Sequence, residues 1–301
     1  MEKPIMHTEH LSPRSERIAR CLEHDPGYRV LRAVPAPFAD MPAGGAPPEG
    51  RCVAIVDLET SGLNPDEDTI IELALMLAFV SEDGEVLGHF GPLSWTEDPG
   101  VPLSPEITAL TGLTAQDLAG TSIPDANVLG LLSRADLLLA HNSSFEIAWL
   151  ERRYPELRGK PWACSMREIP WLDLGLDGRA QGHLLAQHGW TSPAHRAGPD
   201  VWALWVLLQE ARGSSCDGPR VTHLQRLIEA ADRPTTMVEA RGAPFARKDL
   251  LKGRGYRWNP DQRVWARELD PELVEHEEAW FYRSGLPTPF LRSVTAAERH
   301  R

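Results

Sequence analysis

Residues 53–60, Val-Ala-Ile-Val-Asp-Leu-Glu-Thr, restrict this chain more than any other segment. An apolar run of strand composition ends in two carboxylates, Asp57 and Glu59, with Ser61-Gly62 directly behind. On a strand, residues i and i+2 share a face. Both carboxylates therefore leave the strand's end on one side, into whatever cleft lies there. Like charges so close repel, which raises a pKa unless a cation neutralises them. Oxygen-rich clusters of this kind suit a hard cation such as Mg²⁺ or Mn²⁺. Alone, Asp-x-Glu is also an ordinary polar strand end, so its meaning depends on the rest of the chain.

Two later segments supply matching chemistry. Asp136-Leu-Leu-Leu-Ala-His141-Asn142-Ser-Ser-Phe145-Glu146 reads as a short buried strand, a polar turn and a helix start. Phe145, Trp149 and Leu150 then recur at helical spacing, with Glu146 in the first turn. The other is His195-Arg-Ala-Gly-Pro199-Asp200, followed by an apolar helix through Leu208. Pro199 suits the first helical position, which puts Asp200 in the opening turn and His195 on the preceding loop. Taken singly, His195 is a loop histidine and Asp200 a helix-capping acid.

Together these residues resemble the DnaQ-like 3′–5′ exonucleases, in the subgroup with four acids and a histidine. The first motif of that family is matched by Asp57-Leu-Glu59-Thr60-Ser61-Gly62, with Leu63 behind it. The second is matched by His141-Asn142-Ser-Ser-Phe145-Glu146 and the third by His195 with Asp200. Order and spacing fit, and the resemblance covers roughly residues 51–212. One departure is Glu146, where the family usually has Asp; glutamate keeps the charge but adds a methylene, so its oxygens reach further or fold back. A smaller one is Trp162-Ala-Cys164-Ser165, where many relatives carry Asp-Thr.

The resemblance implies hydrolysis of a phosphodiester assisted by two Mg²⁺ or Mn²⁺ ions roughly 3.5–4 Å apart. It assigns Asp57 to bridging both ions, Glu59 and Asp200 to the first, and Glu146 to the second. His195 is the general base, and a free histidine titrates near the working range, at about 6.5. Thr60, Gly62, Leu63, His141, Asn142 and Phe145 are assigned to the substrate's terminal nucleotide. Ordinary packing is the competing explanation for Leu63 and Phe145. The implied fold is a ribonuclease H-like mixed α/β sheet flanked by helices. The element order agrees: a strand at 52–58, a hairpin around Glu82-Asp83-Gly84, short helices at 104–110, 114–118 and 124–132, then a strand at Leu137–Ala140. A site at strand ends is where such sheets place ligands.

Composition suits a soluble protein: 301 residues hold one or two domains, and 42% hydrophobic content suffices for a core. The four cysteines, Cys21, Cys52, Cys164 and Cys216, are scattered and form no Cys-x-x-Cys pair. They read as reduced thiols, and with no signal-peptide pattern they predict a cytoplasmic protein. The most apolar stretch, Ile70–Val80, contains Glu72 and is too short to span a bilayer. A net charge of −12 is unusual for a nucleic-acid binder, but distribution matters more than the sum. Residues 233–267 hold nine Lys/Arg against three acids, a local +6, which leaves −18 for the remainder.

The expected organisation has four parts. Residues 1–50 form an appendage, with a helix at Pro13–Glu23, a strand at Tyr28–Val34 and a Pro/Gly-rich linker. Residues 51–212 are the exonuclease-like domain, and 213–233 a connecting helix or linker. Residues 234–301 are a small basic α+β module, with strands at Met237–Ala240, Tyr256–Trp258 and Val264–Ala266, a basic helix at Ala246–Gly253 and a helix at Pro271–Phe281 capped by Asp270. Parts of it resemble small modules appended to bacterial DNA-processing enzymes. Arg247, Lys248, Lys252, Arg254 and Arg257 are its candidate nucleic-acid contacts. Phe245, Tyr256, Trp258 and Trp265 are expected to build its core.

The expected partner is a single-stranded or frayed 3′ end of nucleic acid, DNA favoured, with a DNA polymerase or repair protein as a further partner and no membrane. Two alternatives stay open: an RNA-trimming exoribonuclease, and a catalytically weak module that binds 3′ ends or serves a polymerase.

Overall fold

The computed structural model describes residues 12–42, 45–212 and 220–301. Cys216 and part of the expected 213–233 connection lie outside the described residues. The chain divides into two compact units, one running to Ala230 with His300–Arg301 and the other spanning Ala231–Arg299.

The larger unit is built on five strands: β1 (Arg51–Thr60), β2 (Ile70–Val80), β3 (Val86–Thr96), β4 (Leu137–Ala140) and β5 (Trp162–Cys164). Their order is β3-β2-β1-β4-β5. The first three are antiparallel, whereas β4 runs parallel to β1 and β5 parallel to β4. This is the expected mixed sheet. The hairpin closes where Gly84 adopts φ +75°, a conformation that favours glycine. The parallel step from β1 to β4 needs a crossover, which includes helix α1 (Asp125–Arg134).

Both faces of the sheet are covered, so its central strands read as continuous apolar runs rather than alternating ones. All eleven residues of β2 are buried, Glu72 among them. On one face Val56, Leu58, Leu73 and Leu75 pack with Val128 and Leu132 of α1 and with Ile147 and Leu150 of α2 (Ser143–Arg153). Helix α3 (Ala197–Gln209) contacts β1, β2 and β3. It is buried almost throughout from Val201 to Leu208, as expected of a helix apolar all round.

The N-terminal helix forms at Pro13–Glu23 as expected, but the strand behind it shrinks to Arg32–Ala33, paired in parallel with Trp190–Thr191. Arg32 is held instead by Glu16 and Glu23, at 2.9 and 2.5 Å. The strap that follows is anchored by the indole N–H of Trp202, which donates to the Pro35 carbonyl at 2.7 Å. Trp171, Trp202 and Trp205 are all core residues. Cys21, Cys52 and Cys164 are free thiols.

A buried histidine gives this unit a pH-sensitive joint. His223 lies 4.7 Å from the Trp171 ring, and its Nε2 is 3.1 Å from Nε2 of His188. Burial, then the neighbouring His188, holds its pKa down at about 3. The unfolded chain binds this proton near 6.5. Between those values the unfolded state holds more protons, so stability is full above about 6.5 and is lost as pH falls below it. Acidification to about pH 5 is expected to cost about 2 kcal/mol through this residue. Thermal unfolding against pH should show a shallower acid limb for His223→Asn than for the native chain; parallel limbs would refute the assignment.

The smaller unit has a four-stranded antiparallel sheet of β6 (Thr235–Glu239), β7 (Arg257–Asn259), β8 (Val264–Leu269) and β9 (Phe290–Val294), in the order β7-β8-β6-β9. Val238, Leu251, Tyr256, Leu269, Phe281 and Leu286 fill its core. Strand β9 escapes sequence reading because Leu286-Pro-Thr-Pro precedes it and prolines signal a turn. The basic helix is split into a 3₁₀ turn, Phe245–Arg247, and α4 (Lys248–Gly253). Pro271–Leu273 is likewise a 3₁₀ turn before α5 (Val274–Arg283), and Asp270 makes no side-chain cap bond. The core expectation also needs correction. Tyr256 is buried and Trp265 half-buried, but Phe245 is 78% exposed and Trp258 49% exposed.

Candidate active site

Asp57 and Glu59 sit at the end of β1, on the same face by strand alternation. The register with β2 shifts between Glu59 and Thr60, and there the chain turns away from the sheet. The turn is held from within. Thr60 Oγ1 donates to the Gly62 carbonyl at 2.5 Å, Ser61 N–H to Thr69 O at 2.8 Å, and Asn64 N–H to Asp68 Oδ2 at 2.9 Å. Leu63 stands out of this frame 85% exposed. Packing within the chain therefore does not explain Leu63.

The second segment enters from β4. His141 Nε2 lies 2.7 Å from the Arg179 carbonyl, and Nδ1 lies 2.8 Å from Ser165 Oγ. A carbonyl can only accept, so Nε2 carries the proton and Nδ1 accepts from the serine hydroxyl. Burial lowers the pKa of His141, which fits this neutral ring. Both nitrogens are thus spent inside the protein, and the ring braces the turn that launches α2. Asn142 caps that helix without a side-chain bond. Phe145 is partly buried against the core, with its ring 5.9 Å from that of Trp149.

One turn into α2, Glu146 is buried and its Oε2 has no hydrogen-bond partner. Burial pushes its pKa up to about 8. Asp57 is raised well above the carboxylate range by burial, then by the charges of Glu146, Asp200 and Glu59. Glu59 is pushed up to about 7 by burial and by Asp200 and Glu72. Burial, and for Asp57 and Glu59 the neighbouring carboxylates, favours the protonated form of these acids.

The third segment departs from expectation in one detail. Helix α3 begins at Ala197, so Pro199 is its third residue and not its first. The cost is nil, because the first four N–H groups of a helix lack intrahelical acceptors anyway. Asp200 remains in the first turn and its Oδ2 accepts the Arg196 N–H at 3.1 Å. Burial raises its pKa, against the pull of the Arg196 and His195 N–H groups. His195 is exposed on the loop before the helix, at φ +64°. A left-handed histidine is uncommon and persists only where its flanks are fixed.

What fixes them is Glu72, a residue that sequence reading passed over. It lies opposite Glu59 across the β1–β2 ladder and is 2% exposed. Its carboxylate accepts from Arg196 Nε at 2.9 Å, Arg196 Nη2 at 3.1 Å, the Ala197 N–H at 3.1 Å and Ser94 Oγ at 3.0 Å. A two-pronged Arg–carboxylate pair fixes geometry as well as charge. The signal was present: a lone acid inside an eleven-residue apolar strand is costly unless partnered.

Asp57, Glu59 and Asp200 each offer a carboxylate oxygen, and these oxygens all lie within 4.8 Å of one another. Hard anionic donors with mutually raised pKa values fit a divalent cation. Glu146 stands outside that trio, although it is close enough to raise the pKa of Asp57.

No family model matches the chain. The PolC-type DNA polymerase III of Listeria monocytogenes is 36% identical over 112 residues, which cover 36% of this chain and 7% of the polymerase. The PolC-type enzyme of Bacillus subtilis is 34% identical over 115 residues, again 36% of this chain and 7% of the polymerase. Over about a third of its length the chain is thus similar to PolC-type DNA polymerases. It spans about 7% of the length of these curated relatives. Among solved structures, Exonuclease X in complex with 5′ overhanging duplex DNA superposes at a TM-score of 0.40, with 24% identity over 52% of this chain and 89% of that one. Escherichia coli Exonuclease I in complex with a dA16 oligonucleotide gives 0.45, with 15% identity over 79% and 68%. Within residues 51–212 the acids of the three motifs, far apart in sequence, are gathered close enough to perturb one another.

Proposed function

We propose that this chain is a metal-dependent 3′–5′ exonuclease that removes nucleoside 5′-monophosphates from DNA 3′ ends. The observation that carries this reading is the convergence of Asp57, Glu59 and Asp200, with His195 on the adjoining loop. The identity to PolC-type DNA polymerases over about a third of the chain supports DNA over RNA. Asp57, Glu59 and Asp200 would hold a Mg²⁺ or Mn²⁺ ion, and Glu146 would support a second. Bound there, such ions polarise the phosphate and lower the pKa of a coordinated water.

The chain's own groups do the rest. His195 takes a proton from the attacking water, whose oxygen bonds to phosphorus as the bond to the leaving 3′ oxygen breaks. Its exposure leaves the ring free to meet a water beside the substrate. The Thr60–Leu63 turn holds the 3′ terminus, and the exposed Leu63 packs against the terminal base. His141 serves the substrate indirectly by fixing the turn before α2 and thus Phe145 and Glu146. A polymerase or repair protein is the partner this activity suggests, and the 51–212 segment is the domain that carries it.

Glu72 is a positioning residue in this scheme. Glu72→Gln keeps the shape but weakens the clamp on Arg196 and frees His195 from its strained conformation. A fall in kcat of roughly ten- to a hundredfold is expected, with KM little changed. A parallel rise in KM with kcat intact would place Glu72 in substrate binding instead.

The decisive test is gel-resolved degradation of 5′-labelled single-stranded DNA and RNA with Mg²⁺ or Mn²⁺, with EDTA and Asp57→Ala as controls. Metal-dependent laddering of DNA that Asp57→Ala abolishes is the expected result. Laddering of RNA alone would move the assignment to an exoribonuclease. Absence of cleavage with retained 3′-end binding would make the chain a binding module.

A further inference from the structure

We propose that the Ala231–Arg299 unit carries its own binding face for single-stranded nucleic acid, formed by Phe245, Trp258 and Trp265 interleaved with Lys248 and Lys252. The inference stands apart from the acidic cluster and does not depend on its activity.

The face is continuous by geometry. Hairpin β7–β8 sets Trp258 directly opposite Trp265, with ring centroids 5.7 Å apart. Lys252 Nζ lies 5.8 Å from the Trp265 ring centroid, and Lys248 Nζ lies 4.5 Å from that of Phe245. Lys248 and Lys252 are four apart on α4, and such residues are neighbours on one face of a helix. The row therefore runs Phe245, Lys248, Lys252, Trp265, Trp258 without a break. Aromatic rings beside cations are what a flexible strand needs: each base has a π-face to stack, and each linkage a phosphate to neutralise.

Trp265 is half-buried and packs against the core, which anchors the row. Phe245 and Trp258 take no part in that core, which is filled by other residues, among them Tyr256, Phe281 and Leu286. Phe245 on a 3₁₀ turn and Trp258 on the outermost strand leave apolar area in water that burial would otherwise recover.

Charge separates the binding cations from the structural ones. Of the nine basic residues in 233–267, four are committed to acids: Arg233 to Glu272, Arg241 to Glu239, and Arg254 and Arg267 to Glu277. Arg254 also lies 5.1 Å from the Trp280 ring, so its task is to support the core beneath. Arg247, Lys248, Lys252, Arg257 and Arg263 have no acidic partner among the described residues. They surround the aromatic row in sequence, within a chain whose net charge is −12. Binding by general positive charge is excluded by that sum, so attraction for a polyanion must be local.

The test uses the full chain in EDTA, which removes cleavage. Fluorescence anisotropy measures binding of oligothymidylate and oligouridylate of roughly 16 nucleotides between about 50 and 200 mM salt. Phe245→Ala and Trp258→Ala are each expected to weaken binding roughly five- to hundredfold, while Trp258→Phe retains most of it. Lys248→Ala with Lys252→Ala should reduce the salt slope by about one to two. Weakening with either oligonucleotide supports the face, and the tighter one names the preferred sugar. Because these side chains are exposed, thermal unfolding should be unchanged, which separates lost binding from lost folding. Unaltered affinity in the Phe245→Ala, Trp258→Ala double variant overturns the proposal. So does polyglutamate competing as well as the oligonucleotides, since a site for any polyanion needs no stacking.

Discussion

Asp57→Asn is expected to lower nucleotide release by at least about 10³-fold, equivalent to about 4 kcal/mol of lost transition-state stabilisation. The same change should raise the melting temperature of the metal-free chain at alkaline pH. The charge of Asp57 is opposed by burial and by four acids around it, Glu146, Asp200, Glu59 and Glu72. Its folded pKa lies above its unfolded one, so the folded state binds more protons between the two. Stability is then full below the unfolded value and declines as pH rises through the folded one. Asparagine cannot ionise and removes that decline. Metal reverses the comparison, because a cation that binds only the folded chain stabilises it by mass action. Differential scanning fluorimetry from about pH 6 to pH 9, with and without Mn²⁺, reads the two stability effects, and gel-resolved cleavage reads the loss of nucleotide release. A native-sized metal shift in Asp57→Asn would show that the cation sits elsewhere.

Glu146→Gln should separate stability from activity in a different way. With a pKa of about 8, Glu146 is neutral in the metal-free fold through most of the physiological range. Its cost grows as pH climbs from the unfolded value near 4.5 toward 8 and persists above. Glutamine has the shape of the neutral acid. It should match the native chain in stability at about pH 6 and exceed it at about pH 9. Turnover should fall roughly a hundredfold, because the amide cannot support a second cation. Glu146→Asp, which restores the residue usual in DnaQ-like enzymes, should stay within about tenfold of native activity. A silent native chain that Glu146→Asp awakens would instead show that the extra methylene disables the site.

Much of this arrangement was legible in the sequence because its signals are local. The apolar run before Asp57, the turn at Gly84 and the apolar helix after Asp200 each declare their own element by composition and period. Alternation within β1 alone puts Asp57 and Glu59 on one face. Where boundaries were misjudged, local chemistry was ambiguous. Pro199 is compatible with the first or the third position of α3, since neither needs its N–H. Tyr28–Val34 has strand composition, yet only Arg32–Ala33 pairs, because the partner strand at Trp190–Thr191 is two residues long.

Pairings between distant segments were not legible in that way. Nothing near Glu72 reveals that Arg196, well over a hundred residues later, will neutralise it. Nothing near His141 reveals that Arg179 and Ser165 will occupy both ring nitrogens. In the smaller unit, composition marked Phe245 and Trp258 as core, and only the closure of that core by Leu286 and Phe281 turned them outward. Composition and period reach as far as neighbours along the chain. Which charges are neutralised, which rings are spent and which are left facing water depends on what the fold brings within a few ångströms, and that is a property of the whole structure.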